Sequence, residues 1–322
     1  MPVSYTYAFD EDLAANLRLV LNTYPREQAY KNSTALTMLE KRKVSLQGHY
    51  IQVNVSHVGT QVGGPYTENS VMSTVDVESG KVAQFEPAFY AEPARISRPQ
   101  EKKAGGSKAL FNLWSFKVDQ ARKRLRQKMA TDLFATSQVA NGITGLPLAI
   151  PATVSSGTWG GLDRSTYTWW RNYTQTSVGA FTSNGVDGMD LMELGIQVDG
   201  GEGPDFYVTT STLFQKMKKN ARSTINFEPT YKGRYAAHLS DMGIESISFC
   251  GKPVVWDAYC DSGKIYAITN SALYLGIYED WDVEGPFYLQ GAGTHAKVMW
   301  VYWGGQLLGE EARRLGQMSG VS

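Results

Sequence analysis

Four histidines, two cysteines and one dense run of cations carry most of the chemical potential of this sequence, and their spacing gives them little to do. The histidines are His49, His57, His238 and His295. None stands in an HExxH or Cys/His spacing, so a zinc centre has no support. His49 and His57 share a strand face by parity, yet no third ligand accompanies them, and solvated strand histidines are the favoured reading over a metal pair. Cys250 and Cys260 flank a hairpin-like stretch; a bridge between them stays open, with two free, buried thiols in a reducing compartment favoured. The glycine clusters GGPY, AGGSK, GTWGG and DGGEG suit turns, and no GxxxxGK[ST], GxGxxG or GxSxG is present. Asp199, Glu202 and Asp205 surround a glycine loop without the spacing of a calcium loop, which favours a solvated acidic loop. Carboxylate pairs for glycoside hydrolysis need not be local and stay open. The run RKRLRQK at 122–128 either contacts phosphates or acids of a neighbouring subunit, or is a solvated helix face. With no balancing acids nearby the two readings stand even. No catalytic, cofactor or metal site is expected.

Composition narrows the class. The 322 residues allow about two domains, and 31 basic residues balance 31 acidic ones, without the basic excess of a dedicated nucleic-acid binder. The start, MPVSYTYAFDEDLAANL, lacks a basic region followed by an apolar run, and no apolar stretch approaches the roughly 20 residues that span a bilayer. A soluble protein of a reducing cytosol is expected. Eighteen tyrosines and eight tryptophans suit a β-rich core and subunit interfaces equally well.

One element dominates the organisation. Residues 107–135 place Leu110, Trp114, Val118, Ala121, Leu125, Met129 and Leu133 on one helical stripe, with Lys117, Arg122, Lys123, Arg124, Arg126 and Lys128 opposite, and Ser107 as the expected cap. Such a rod is roughly 43 Å long, more than a compact enzyme core requires. Before it, 10–24 reads as a short helix stopped by Pro25, and the polar stretch to about Val44 as an arm lying on something else. Residues 44–98 read as extended, with turns at Gly63–Pro65 and Glu78–Lys81. The stretch through Phe85, Phe89, Ala91 and Ile96 carries Pro87 and Pro93 and reads as an edge strand. This long hairpin has few large apolar residues and needs a partner surface. After the helix come a loop (142–152), a tryptophan-rich turn region (157–172), a helix (185–199), strand 205–210, helix 211–221, strand 245–257, two further strands, a closing strand at 295–308 and a polar tail. The coarse class is α+β.

This order of parts resembles the major capsid protein of tailed bacteriophages, with its Hong Kong 97-type shell fold. ITGLPLAIP leading into GTWGGLDRSTYTWWRN, then GPDFYVTTSTLFQKMK, MGIESISFCGKPVVWD and AKVMWVYWGGQLLGEEARRLGQMSG are similar to stretches of that family, and the likeness covers most of 45–320. The resemblance implies an N-terminal arm (1–45), an extended hairpin or E-loop (46–86), a peripheral domain (87–145 and 286–322) with the spine helix 107–135, and an axial α/β domain (146–285). It implies self-assembly as hexamers and pentamers into an icosahedral head around double-stranded DNA, touched only non-specifically. Portal and scaffolding proteins, the scaffold separate or already lost, and a decoration protein are further implied partners; a membrane is not. The implied place is the virion, assembled in the host bacterial cytoplasm. Subunit contacts are expected at Arg122, Arg124, Arg126, Tyr66 and Phe85, so charge reversal at the three arginines should block assembly and leave the monomer folded. Two rivals remain: an encapsulin-like compartment enclosing an enzyme, and an aromatic-rich β-protein that binds or cleaves glycans.

Overall fold

The computed structural model describes residues 33–48, 50–57, 64–68, 70–71, 78–104, 106–224, 246–288 and 295–322. The helix expected over 10–24, His49, His238 and the turn at Gly63 lie outside them.

The chain builds two sheets. Strands β1 (Lys43–Ser45), β4 (Ala88–Ser97), β12 (Leu273–Tyr288) and β13 (Ala296–Gly309) form a four-stranded sheet in the order β1-β12-β13-β4. β4 is an edge, the position that Pro93 predicts because proline has no N–H to donate to a second neighbouring strand. Phe85, Phe89, Ala91 and Ile96 do not share one face. Ala88, Ala94 and Ile96 point inward, and Phe89 outward. The chain leaves β3 (Gly80–Phe85) and turns at Glu86–Pro87, so the parity set by Phe85 does not carry through.

Helices α1 (Thr34–Leu39) and α2 (Arg98–Lys103) precede α3 (Ser107–Leu133), the long rod. Its 27 residues span about 40 Å. The expected stripe packs on β4 and β13, with Ala121, Leu125, Met129 and Leu133 fully buried. The cap position is Gly106, and Ser107 is already helical, so the expected serine cap is absent.

The second sheet runs β7-β14-β11-β8-β10-β9, formed by β7 (Tyr173–Gln175), β8 (Phe206–Thr209), β9 (Ser246–Phe249), β10 (Lys252–Trp256), β11 (Ile265–Ile268) and β14 (Gly316–Met318). After α4 (Leu146–Ala149), helices α5 (Val186–Gly200) and α6 (Ser211–Thr224) pack on one side of it. The stretch 245–257, expected as one strand, is a hairpin. Cys250 (φ 45°) and Gly251 (φ 76°) both adopt the left-handed conformation that a two-residue hairpin turn demands. Cys250 is therefore exposed at a turn tip and Cys260 is half-buried; both are free, and the expected pair of buried thiols is corrected. The expected polar tail is also structured. Ala312, Leu315, Met318 and Val321 are all buried, and β14 inserts between β7 and β11 in the second sheet, away from the four-stranded one.

The stretch before β1 is part of the body too. Ala35, Leu36, Met38 and Leu39 of α1 are buried in the main core. The buried Asp257 carboxylate accepts hydrogen bonds from Ser33 Oγ (2.6 Å) and the Ala35 amide (2.9 Å). Four apolar side chains in six residues suffice to seat so short a helix, although the segment as a whole reads as polar.

Candidate subunit-contact surfaces

The hairpin is rooted in its own subunit. Strands β2 (Ile51–Ser56) and β3 pair antiparallel from Ile51–Phe85 to Ser56–Gly80, and the His57 amide donates to Ser79 O, so the expected turn at Glu78–Lys81 is a continuation of the ladder. Ile51, Val53, Val55, Ala83 and Phe85 all face inward. They meet a seat made by the tryptophan-rich segment, where the short strands β5 (Thr158–Trp159) and β6 (Leu162–Asp163) join through Gly160 and Gly161. Phe85 lies edge-on to Trp159 at 5.8 Å, and Trp159 stacks on Trp170 at 5.1 Å. Gly160 has φ +60°, and a Cβ there would stand 2.7 Å from the Phe85 ring, so both conformation and space require glycine. His57 stacks flat on Trp169 at 4.5 Å beside a cleft of about 300 Å³ that Glu310, Glu311 and Arg314 also line. This histidine is a packed ring, not the solvated strand residue expected.

The buried Arg164 holds this seat from behind. Its guanidinium donates to the carbonyls of Leu148, Ala149 and Trp170, without a carboxylate partner among its hydrogen bonds. Burial lowers its pKa to about 10, still far above neutrality, so it stays a cation satisfied by carbonyl dipoles at the end of α4.

The basic run has partners after all. Arg124 Nε pairs with Glu92 of β4 at 2.6 Å, Arg126 with Glu40 and with Thr37 Oγ1, Lys128 with the buried Asp132 at 2.8 Å, and Arg122 loosely with Asp119 at 3.8 Å. Glu40 and Glu92 are 86 and 32 residues away in sequence, which is why the run looks unbalanced on its own. Burial holds the Glu40 carboxyl above its ordinary range, against the opposing pull of Arg126. Phe85, expected at a subunit contact, is 4% exposed and serves the hairpin root. Tyr66 is 69% exposed, beyond the root. Around the acidic loop, Glu202 pairs with Arg314 and the Asp205 carboxylate accepts from the Asn270 amide at 2.7 Å. Among the described residues no group of three or more His, Cys, Asp or Glu is placed to hold a metal ion. Trp114, Trp159, Trp170 and Trp303 are buried, so they offer no sugar-stacking platform.

Among the described helices, α5 carries several outward apolar side chains. Leu191, Leu194 and Val198 lie at helical spacing and are 50%, 56% and 84% exposed.

No protein-family model and no curated protein matches this sequence. Solved structures do match its fold. The capsid asymmetric unit of cyanophage A-1(L) has a TM-score of 0.67 at 16% identity, covering 94% of this chain and 98% of the other. The capsid of an empty GTA particle has a TM-score of 0.59 at 11% identity, covering 94% and 96%. An encapsulin complex from Synechococcus elongatus PCC 7942 has a TM-score of 0.56 at 8% identity, covering 95% and 94%.

The chain has the tailed-phage capsid fold.

The capsid fold accounts for what the sequence shows most loudly, the long helix and the outlying hairpin. It leaves quieter the features that only coordinates bring out. The α1 helix was missed because its four buried residues stand within a polar stretch. The outward stripe of α5 was missed because Leu191 reads as one set with Met189, Met192 and Ile196, although it faces the other way. The available signal was the helical spacing of Leu191, Leu194 and Val198 opposite Met189, Met192 and Ile196.

Proposed function

We propose that this chain is the major capsid protein of a tailed phage, whose copies close an icosahedral head around double-stranded DNA as hexamers and pentamers. The observation that carries the reading is coverage in both directions: 94% of this chain aligns with 98% of a chain from a cyanophage capsid. In this reading the role is structural. The α3 helix is the spine, the four-stranded sheet belongs to the peripheral domain, the six-stranded sheet to the axial domain, and the hairpin beyond its root is the E-loop that lies over a neighbour. Tyr66 and the exposed Arg122 are the proposed contacts from these two elements. A formal charge of zero suits a wall that encloses DNA without gripping it. Portal, scaffolding and decoration proteins belong to the same proposal, as does assembly in the host cytoplasm before the chain resides in the virion. No helix of the described residues is long and apolar enough to cross a membrane.

The test is the purified chain viewed by negative-stain electron microscopy and sized by sedimentation. Closed particles of uniform diameter are expected, and a dispersed monomer at assembly concentrations overturns the proposal. The encapsulin match supports a second reading, a protein compartment built on the same fold. Contents decide between them: nuclease-protected DNA supports the phage head, and a co-purifying cargo protein in its place supports the compartment.

A further inference from the structure

We propose that the outward face of α5 is a contact between copies of this chain, made head to tail. The proposal rests on the capsid reading and names the partner of one surface within it.

The helix is built to be buried on both sides. Its inner face sets Met189, Met192 and Ile196 against the six-stranded sheet, all at most 1% exposed. Two glycines let it sit close. A Cβ at Gly195 would stand 2.1 Å from the Tyr173 ring, and one at Gly188 would stand 2.8 Å from Met318 Sδ. The helix is also fixed in rotation. Glu193 reaches inward, where Oε1 pairs with Lys252 Nζ at 2.7 Å and Oε2 accepts from Tyr207 Oη at 2.9 Å. Leu191, Leu194 and Val198 are therefore held outward on a rigid support, with the exposed Asp187 at the N-terminal end of the same row. A water-facing helix normally carries polar groups there, and this one carries leucine and valine.

Area and charge select the occupant. The stripe offers a few hundred Å² of apolar surface, the scale of a functional patch, whereas a stable free-standing complex needs about 800 Å² from each partner. One face of that size suits a contact repeated many times in an assembly, where each copy is also held elsewhere. Asp190 is exposed beside the centre of the stripe. A two-fold pairing of this face with itself would set each Asp190 carboxylate against the apolar stripe of the other copy, with no Lys or Arg on the helix to pair it, which is unfavourable. Contact with a different face of the next copy avoids that clash, and such contacts close into rings.

The experiment compares wild-type chain with Leu191→Ser/Leu194→Ser/Val198→Ser and with the apolar control Leu191→Met/Leu194→Met/Val198→Ile. Assembly is followed by sedimentation velocity and electron microscopy, and folding by thermal melting. The serine variant is expected to melt like wild type and to need an at least tenfold higher concentration to assemble, while the apolar control assembles as wild type does. A separate Val198→Cys chain, labelled with maleimide and read at that position by mass spectrometry, is expected to react as monomer and to be protected at least tenfold in the particle. That reporter decides the matter even where the serine variant fails to fold. Serine-variant particles at the wild-type concentration, or equal labelling in both states, overturn the contact and leave the shell reading standing. A serine variant that assembles normally but loses capture of a different protein overturns the choice of partner. Wild-type chain that never associates overturns both.

Discussion

The outward faces of α3 and α5 invert what the sequence advertises. The α3 face is dense with cations and looks made for a partner, yet three of its charges are held by Glu40, Glu92 and Asp132 of the same chain. The α5 face is chemically plain, yet Leu191, Leu194 and Val198 stand in solvent with nothing of the described chain laid over them. Charge on a helix surface is compatible with water and needs no second molecule, and intramolecular acids can satisfy it. Apolar side chains on a helix surface are satisfied only by something that covers them. The better marker of assembly in this molecule is the unfinished apolar face, and the expected role of the arginines in assembly is divided by how deeply each is tied into its own subunit.

The comparison breaks first at Phe85. As a root residue packed on Trp159, its replacement by alanine should cost the subunit about 3–5 kcal/mol, read as a lower denaturation midpoint. An unchanged midpoint would return Phe85 to the contact role expected from the sequence. The arginines come next. Arg126→Glu sets a carboxylate against the largely buried Glu40, and because Arg126 is itself 27% exposed the cost should be about 2–4 kcal/mol. Arg124→Glu loses an exposed pair with Glu92, which is worth about 0.2–1 kcal/mol plus a similar repulsion. Arg122→Glu should stay within about 0.5 kcal/mol of wild type. The triple reversal would therefore unfold subunits as well as impede contacts, and only the Arg122 single variant tests assembly cleanly. Equal melting of all three variants would show that burial does not divide them.

How much of this was legible depends on the range of the interaction. The long helix was readable because Leu125, Met129 and Leu133 repeat within one continuous segment, and the edge strand because Pro93 announces its own missing donor. The partners of the basic run were not readable, because Glu40 lies 86 residues from Arg126 on the segment that α1 seats against Asp257. The Cys250–Gly251 turn escaped because cysteine is an uncommon choice for a left-handed position, where asparagine or glycine would have signalled it. The hairpin root was hidden in a different way. Its apolar alternation, Ile51, Val53 and Val55, was visible, but the surface that receives it lies about a hundred residues later in GTWGG. The outward stripe of α5 was legible in part, since Leu191, Leu194 and Val198 recur at helical spacing opposite Met189, Met192 and Ile196 in the letters alone.

The smallest effect tests whether the internal pairs of α3 stabilise the subunit or are merely tolerated. Glu40 and Arg126 meet through one oxygen and one nitrogen, while Glu40 Oε1 and Arg126 Nε are buried without a partner. A half-satisfied pair of this kind regains little of its desolvation cost. Burial accordingly holds the Glu40 carboxyl above 4.5, its ordinary value. The native state then keeps this proton to a higher pH than the unfolded chain does. Stability from this group is present below 4.5 and is lost as pH rises through the raised folded value. Glu40→Gln removes the titration and should flatten that part of the curve. Denaturant midpoints of the two proteins measured from pH 4 upward should therefore converge or cross in favour of the glutamine variant as pH rises. Divergence in favour of wild type would mean that the pull of Arg126 exceeds the burial cost, and that the charged face of α3 contributes to holding the subunit together.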